Sequence, residues 1–413
     1  MRLLLPSCSH TKFPIPEIAT KLSEVPDCRL DLRQNADIVT ELNSFRPVIS
    51  EKNVWAFWDK GFDAMPPSYQ CTVINWVRKL GSGWTVRLTT TVDKSPNSIY
   101  NFIDKNWLPE CLIDGTMDGT HKSQHTSDLV RLPLLFEHGG VWMDVGNMLH
   151  THLDDLFWNR LTATESSYEV GLWIMNGKLR KKWGSFGNFI VAARKNAIFI
   201  RNWHEGYKEL WKGRNNERGF HEHPLIQEIG IADCVADWTS NQEFILGMTD
   251  YVAHMLIGDR TRNLLDIETG WNGREFFENR ALLVEGVKNS ILGALKTRHD
   301  GATQVDLFTT RLDEPNQEKR KAAEAFMVEM LEDCHMYKVY HNPIPAGGKP
   351  TLGDLIKTDG LKDADQRPGT FGELYRYGTV HWRSAKQVEY LIPPPSEDKL
   401  IQATPTKPSE RSS

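Results

Sequence analysis

The sequence predicts an α/β chain with a single Rossmann-type domain, in which helices and loops pack on a mostly parallel central sheet. Three observations predict it. Residues 53–88 read as strand, helix and strand with short connections, a βαβ order whose crossover onto a parallel neighbour is right-handed. Residues 127–147 pass again from an apolar helix through two glycines into a short strand. At 413 residues the chain is long enough to bury one large core. The expected divisions are an N-terminal arm over 1–50, the domain over 51–390, and a disordered tail over 391–413, which is rich in Pro, Ser, Lys and Glu.

Composition narrows the function. The 54 acidic and 49 basic residues leave a net charge of -5, which gives no support to nucleic acid as a partner. Fourteen tryptophans are many, and Trp suits surfaces that are partly apolar but must offer an N–H, as sugar faces require. The cysteines Cys8, Cys28, Cys71, Cys111, Cys234 and Cys334 show no metal-binding spacing and read as reduced thiols. Met1–Pro6 is too short for a signal-peptide core, and no apolar run approaches the roughly 20 residues that span a bilayer. A soluble, cytoplasmic protein without an integral membrane segment is expected, with peripheral membrane attachment left open.

Taken in order, the arm offers one helix around Asn35–Leu42. Asn53–Trp58 reads as a strand buried on both faces, followed by a loop broken by Gly and Pro. Val73, Ile74, Val77 and Leu80 recur at helical spacing, Gly81 and Gly83 stop that helix, and Trp84, Val86 and Leu88 alternate as the next strand. Trp55, Phe57 and Trp58 lie at the first strand end, where one can stack on a base while the others pack in the core. Residues 89–126 are loop-rich, and a connection that long is usually functional or mobile.

The stretch Ser127–Asn147 carries the chemistry. Asp128 and Arg131 lie three apart, so on a helix they share a face and can grip one ligand. Thr126 or Ser127 is the expected N-cap, and Pro133 predicts a kink, since an interior proline costs roughly 3 kcal/mol. Gly139 and Gly140 end the helix. Val141, Met143 and Val145 then alternate with Trp142, Asp144 and Gly146, which puts Asp144 at the carboxyl end of a strand. Ligands of open α/β sheets bind there, although an aspartate can also simply cap a turn.

WAFWDKGFDAMPPSYQCTVINWVRKLGSGW, SDLVRLPLLFEHGGVWMDVGN and LDDLFW at Leu153–Trp158 together resemble the glycosyltransferases with a DxD sugar-binding region, of the capsular polysaccharide synthesis type and its fungal relatives, akin to glycosyltransferase family 32. The similarity runs through 53–205 and more weakly to 382. It implies a GT-A-like fold, a nucleotide-sugar donor, and transfer to an acceptor hydroxyl of a glycan or a small molecule such as a terpenoid or polyketide. The implied donor-binding residues are Asp128, Arg131 and Asp144, with Gly146 in the DxD region and Asp144 catalytic and a metal ligand; Trp55 and Trp58 join them as the aromatics at the first strand end. Asn188 is implied on the acceptor side, and His381 and Trp382 as closure of the donor site. The resemblance also favours retention of configuration, in which the leaving phosphate takes the acceptor proton. A DxD works because two carboxylates on one divalent cation, Mn or Mg, neutralise a diphosphate. Here Gly146 stands at the second aspartate, so the cation is an open question and a non-catalytic sugar-binding relative is the alternative reading. A dehydrogenase is disfavoured, since no GxGxxG follows the first strand.

Further on, Val170–Met175 and Phe186–Ala193 read as strands, with a turn at Asn176-Gly177. Phe199, Trp203, Tyr207 and Leu210 mark a helix. His221, Glu222 and His223 suggest a polar loop rather than a metal site, having no third ligand at a usual spacing. Asp233 with Asp237, and Asp250 with His254 on a helix Phe244–Ile257, read as helix-surface pairs. Residues 310–338 read as one charged helix with Ala323, Phe326, Met327 and Met330 inward, and a short strand is expected before His381.

Overall fold

A computed structural model describes residues 12–175, 185–229, 240–341, 349–392 and 400–403. The chain begins with β1 (Leu22–Glu24) and α1 (Asn35–Leu42) and continues through β2 (Asn53–Phe57), α2 (Pro67–Leu80) and β3 (Thr85–Thr89). Then come α3 (Lys122–His138), β4 (Gly140–Met143), β5 (Asn147–Leu149), β6 (Val170–Met175), β7 (Ser185–Ala193) and α4 (Ile198–Leu210). The later principal elements are α5 (Gln242–Tyr251), α6 (Ala253–Asn263), β8 (Leu264–Asp266), β9 (Trp271–Asn272), β10 (Ala281–Glu285), α7 (Gln317–Asp333), β11 (Met336–Lys338), α8 (Phe371–His381), β12 (Trp382–Ser384), β13 (Tyr390–Leu391) and β14 (Ile401–Gln402).

Seven strands form the main sheet in the order β13-β10-β6-β7-β4-β2-β3. Five of them run one way, while β7 and β13 run against them. The βαβ unit is β2, α2 and β3, with β2 parallel to both β3 and β4. Strand alternation sorts side chains to the two faces. Val54, Ala56, Val141 and Met143 pack with α2, α7 and α8 on one side. Trp55, Phe57 and Trp142 pack with α3, α4 and α6 on the other. Covering both faces with helices explains why these strands are almost continuously apolar.

Several expectations are corrected. The arm is part of the body: β1 pairs with β12, and Ile38 and Leu42 of α1 are buried in the core. Helix α3 starts at Lys122, a turn earlier than Thr126, whose hydroxyl donates to the Lys122 carbonyl at 2.9 Å. It runs as one element through Pro133 to His138 and stops where Gly139 and Gly140 adopt φ of 67° and 114°. The helix expected over Phe244–Ile257 is two, divided at Val252. His381 ends a helix rather than following a strand, because Phe371, Leu374 and Tyr375 bury one helical face and Thr370 caps its start. The long charged helix ends at Asp333, and Met336–Lys338 instead pairs antiparallel with β5. In the expected tail over 391–413, Leu391 belongs to β13, which pairs with β10, and Ile401–Gln402 pairs with β8. The Asn176-Gly177 turn, Asp233, Asp237, Cys8 and Cys234 lie outside the described residues.

Candidate active site

Asp144 follows β4 directly, at the carboxyl end of the strand. Its backbone N–H donates to the Phe189 carbonyl at 2.9 Å, which fixes it against β7. Because Asp144 is two residues after Trp142, its side chain emerges toward α3, and Trp142 Nε1 donates to Asp144 Oδ1 at 3.0 Å. From α3, Arg131 pairs with Asp128 Oδ1 at 2.8 Å, reaches within 3.7 Å of Asp144 Oδ1, and lies 5.0 Å over the Trp142 ring. Ser127 and the Asn188 carbonyl accept its remaining N–H groups. Arg131 is thus held from several directions and is 4% exposed, while Asp144 is 29% exposed, so the cluster opens outward at Asp144.

Asp128 is the inner half. Asn188 Nδ2 donates to it at 3.1 Å, His125 Nδ1 lies 3.5 Å away, and His254 Nδ1 lies 3.9 Å away. Burial works to raise this carboxyl, but Arg131, His254 and His125 outweigh it and hold it below its ordinary range. Asn188 therefore stands beside Asp128, bridging it to His254 at 3.2 Å.

Lys338 is the site residue that sequence reading missed. Its Nζ donates to Asp144 Oδ2 at 2.7 Å and lies 4.9 Å from the Phe189 ring centroid. Burial pushes its ammonium below the ordinary lysine value, against the pull of Asp144. No local signal marked it, since it was read as the end of a long helix. His125, three residues before Asp128, did offer a helical-spacing signal. Asp250 and His254, read as surface residues, are both buried, and Asp250 accepts from the Gly219 and His221 backbone N–H groups.

Two other expectations change. Trp55 is fully buried, with its indole N–H on the Gly139 carbonyl at 2.9 Å and Phe102 packed edge-on, so it has no face for a base. Trp58 is half-buried beside Tyr69, whose hydroxyl meets His341 Nε2 at 2.7 Å. His381 stacks on Tyr377, and Trp382 is buried where β12 pairs with β1. His381 ends α8 and Trp382 begins β12, and the late residue that meets Asp144 is Lys338.

Beside the cluster, a cavity of about 410 Å³ is lined by Asp59, Thr91, Tyr100, Lys122, Ser123 and Thr126, among others. It lies past the carboxyl ends of β2 and β3. Ser123 donates to Asp59 at 2.8 Å, and Ser123, Ser127 and Arg131, four apart on α3, form a polar track from cavity to cluster.

The side chains present fit a divalent cation poorly. Asp144 Oδ2 holds Lys338, and Oδ1 faces Trp142 and Arg131. Gly146 supplies no oxygen, and a Cβ there would lie 2.3 Å from the Val339 carbonyl oxygen. Asn147 is fully buried, its side-chain amide donating to the Phe189 carbonyl and its backbone carbonyl accepting from Trp76, which leaves Oδ1 as a single enclosed oxygen without a hydrogen-bond partner. Among the described residues no group of three or more His, Cys, Asp or Glu could hold a metal ion.

Burial also keeps histidines neutral: His150, His204 and His254 are pushed down to about 3, about 4 and about 3. Unfolded, each titrates near 6.5. Between these values only the unfolded state binds the proton, so the stability these groups contribute is full above pH 6.5 and is lost as pH falls. Each contributes a slope of roughly 1.4 kcal/mol per pH unit. The urea midpoint should therefore drop between pH 7.5 and pH 5; equal midpoints would contradict this burial.

Comparison with known proteins gives the class to which this mostly parallel α/β sheet and its paired-charge cluster belong. The chain is 34% identical to the O-glycosyltransferase braB of Annulohypoxylon truncatum over 94% of each chain. It is 35% identical to the glycosyltransferase afumC of Aspergillus fumigatus, over 90% of this chain and 96% of that one. With the O-glycosyltransferase PaGT of Phomopsis amygdali it shares 33% identity, over 88% and 90%. This protein is a glycosyltransferase. More particularly, it belongs to the capsular polysaccharide synthesis protein family, whose pattern matches residues 32–245. No helix among the described residues is long and apolar enough to cross a membrane.

Proposed function

We propose that this glycosyltransferase holds a nucleotide sugar across the Asp128, Arg131 and Asp144 cluster and transfers the sugar to an acceptor hydroxyl with retention of configuration. The observation that carries the reading is the Arg131 guanidinium, fixed between two aspartates and aimed at the outlet beside Asp144. The diphosphate lies at that outlet, and the nucleoside extends along Ser127 and Ser123 toward the cavity at Asp59. Trp58 borders the same strand end. Asn188 keeps Asp128 in place. In the reaction the bond from the anomeric carbon to the diphosphate oxygen breaks, and its electron pair leaves with the diphosphate. The acceptor oxygen forms the new bond on the same face, and its proton passes to the departing diphosphate, so no separate base is required. Two of the relatives are named O-glycosyltransferases, which favours an oxygen acceptor.

The acceptor is a small-molecule natural product or a polysaccharide. A cytoplasmic location goes with the reading, in keeping with Cys28, Cys111 and Cys334, which form no disulfide. The test is consumption of UDP-, GDP- and TDP-hexoses by the purified protein, with terpenoid and polyketide alcohols or oligosaccharides as acceptors. One donor should be consumed, with formation of an acceptor glycoside of unchanged anomeric configuration. An inverted product would contradict retention, and binding of every donor without turnover would contradict the transfer reading.

A further inference from the structure

The residue at the second DxD position and the lysine beside the first aspartate are linked by one backbone contact. Strand β11 pairs with β5 so that Lys338 stands opposite Asn147, and beyond it the Val339 N–H donates to the Gly146 carbonyl at 2.8 Å. This pairing brings the Val339 carbonyl over the α-carbon of Gly146, where a Cβ would meet it at 2.3 Å. The same pairing carries Lys338 Nζ to 2.7 Å from Asp144 Oδ2. A carboxylate at position 146 and an ammonium at Asp144 are therefore alternatives: the strand that delivers the second excludes the first.

Charge supports the same conclusion. Asp128 and Asp144 are balanced by Arg131 and Lys338, so the cluster is neutral before a ligand arrives. A single aspartate can take part in a magnesium site, because magnesium keeps waters and uses substrate phosphates as ligands. Here a dication at Asp144 would have to displace a half-buried ammonium and then sit beside it. A diphosphate meets the opposite situation, since it gains two cationic groups already in place.

We propose that the Lys338 ammonium takes the role of the divalent cation, neutralising the donor diphosphate together with Arg131 and making transfer independent of metal. This rests on the donor reading above and adds to it the identity of the charge that stabilises the leaving group. As the anomeric bond to the diphosphate oxygen breaks, Lys338 Nζ donates to the oxygens that gain the electron pair, and the acceptor proton ends on the same diphosphate. Lysine is a compact point charge with rotatable donors, suited to moving from Asp144 to the phosphate.

The test combines chelation with substitution. Full-length wild-type protein is assayed for donor consumption in EDTA, then with added Mn²⁺ or Mg²⁺, and nucleoside diphosphate and nucleoside are titrated calorimetrically without metal. The proposal expects turnover within twofold across the metal conditions and tighter binding of the diphosphate than of the nucleoside. Lys338→Met should lower kcat about a hundredfold and abolish the preference for the diphosphate, with Lys338→Arg restoring part of both. Loss of wild-type turnover in EDTA with recovery in Mn²⁺ would overturn the proposal while leaving the donor reading intact. That arm needs no variant to fold. Wild-type turnover by Lys338→Met would overturn it equally, whereas a protein that binds neither diphosphate nor donor would overturn the donor reading itself.

Discussion

Gly146→Asp, the change that would complete a DxD motif, is expected to destabilise the protein by at least about 3 kcal/mol and to leave it inactive. Position 146 has no room: the atom its Cβ would meet is the backbone oxygen of Val339, which cannot rotate away as a side chain could. Relief requires opening the contact between Val339 and Gly146 and, with it, the pairing that places Lys338. The added carboxylate would also face Asp144 at close range, a like-charge cost that space alone does not include. Gly146→Ala separates the two effects, since it carries the clash without the charge. Thermal unfolding of both variants checks the account: each midpoint should fall, that of Gly146→Asp further. A Gly146→Asp protein that melts with the wild type and turns over donor only with Mn²⁺ would show that β11 yields easily.

Much of the framework was legible because both strand and helix periods are strongly written there. The β2, α2, β3 unit and the run from α3 into β4 each combine an apolar period with a glycine stop, and the structure has both, with α3 starting a turn earlier than read. Asp128, Arg131 and Asp144 were legible for the same reason, since helical spacing and strand alternation alone bring their side chains together.

What was not legible depends on partners distant in sequence. Met336 and Tyr337 continue an apolar pattern that begins in α7, and only pairing with β5, almost 190 residues earlier, makes them a strand. Lys338 therefore had no local mark as a site residue. Trp55 failed differently. In a strand covered by helices on both faces every residue is apolar, so nothing in the sequence separates an aromatic facing a ligand from one facing Phe102 and Gly139. His254 looked like a surface residue because its burial arises from the packing of α6 on α4, where Trp203 Nε1 donates to its carbonyl at 2.7 Å.

Asp144→Asn removes one charge and keeps the shape. The amide oxygen can still accept from Trp142, so the end of β4 should hold, while Lys338 loses the carboxylate that positions it. Donor binding should change little, because the diphosphate meets the same two cations with one nearby negative charge fewer. Transfer should suffer more, since Lys338 stays present but loses its positioning, a cost bounded by the roughly hundredfold of removing the ammonium itself. The direct measurement is kcat for sugar transfer by Asp144→Asn set against its calorimetric Kd for the donor, both relative to wild type. The account predicts kcat down about thirtyfold, less than for Lys338→Met, with Kd within threefold; a folded variant that retains kcat within threefold would place the chemistry elsewhere.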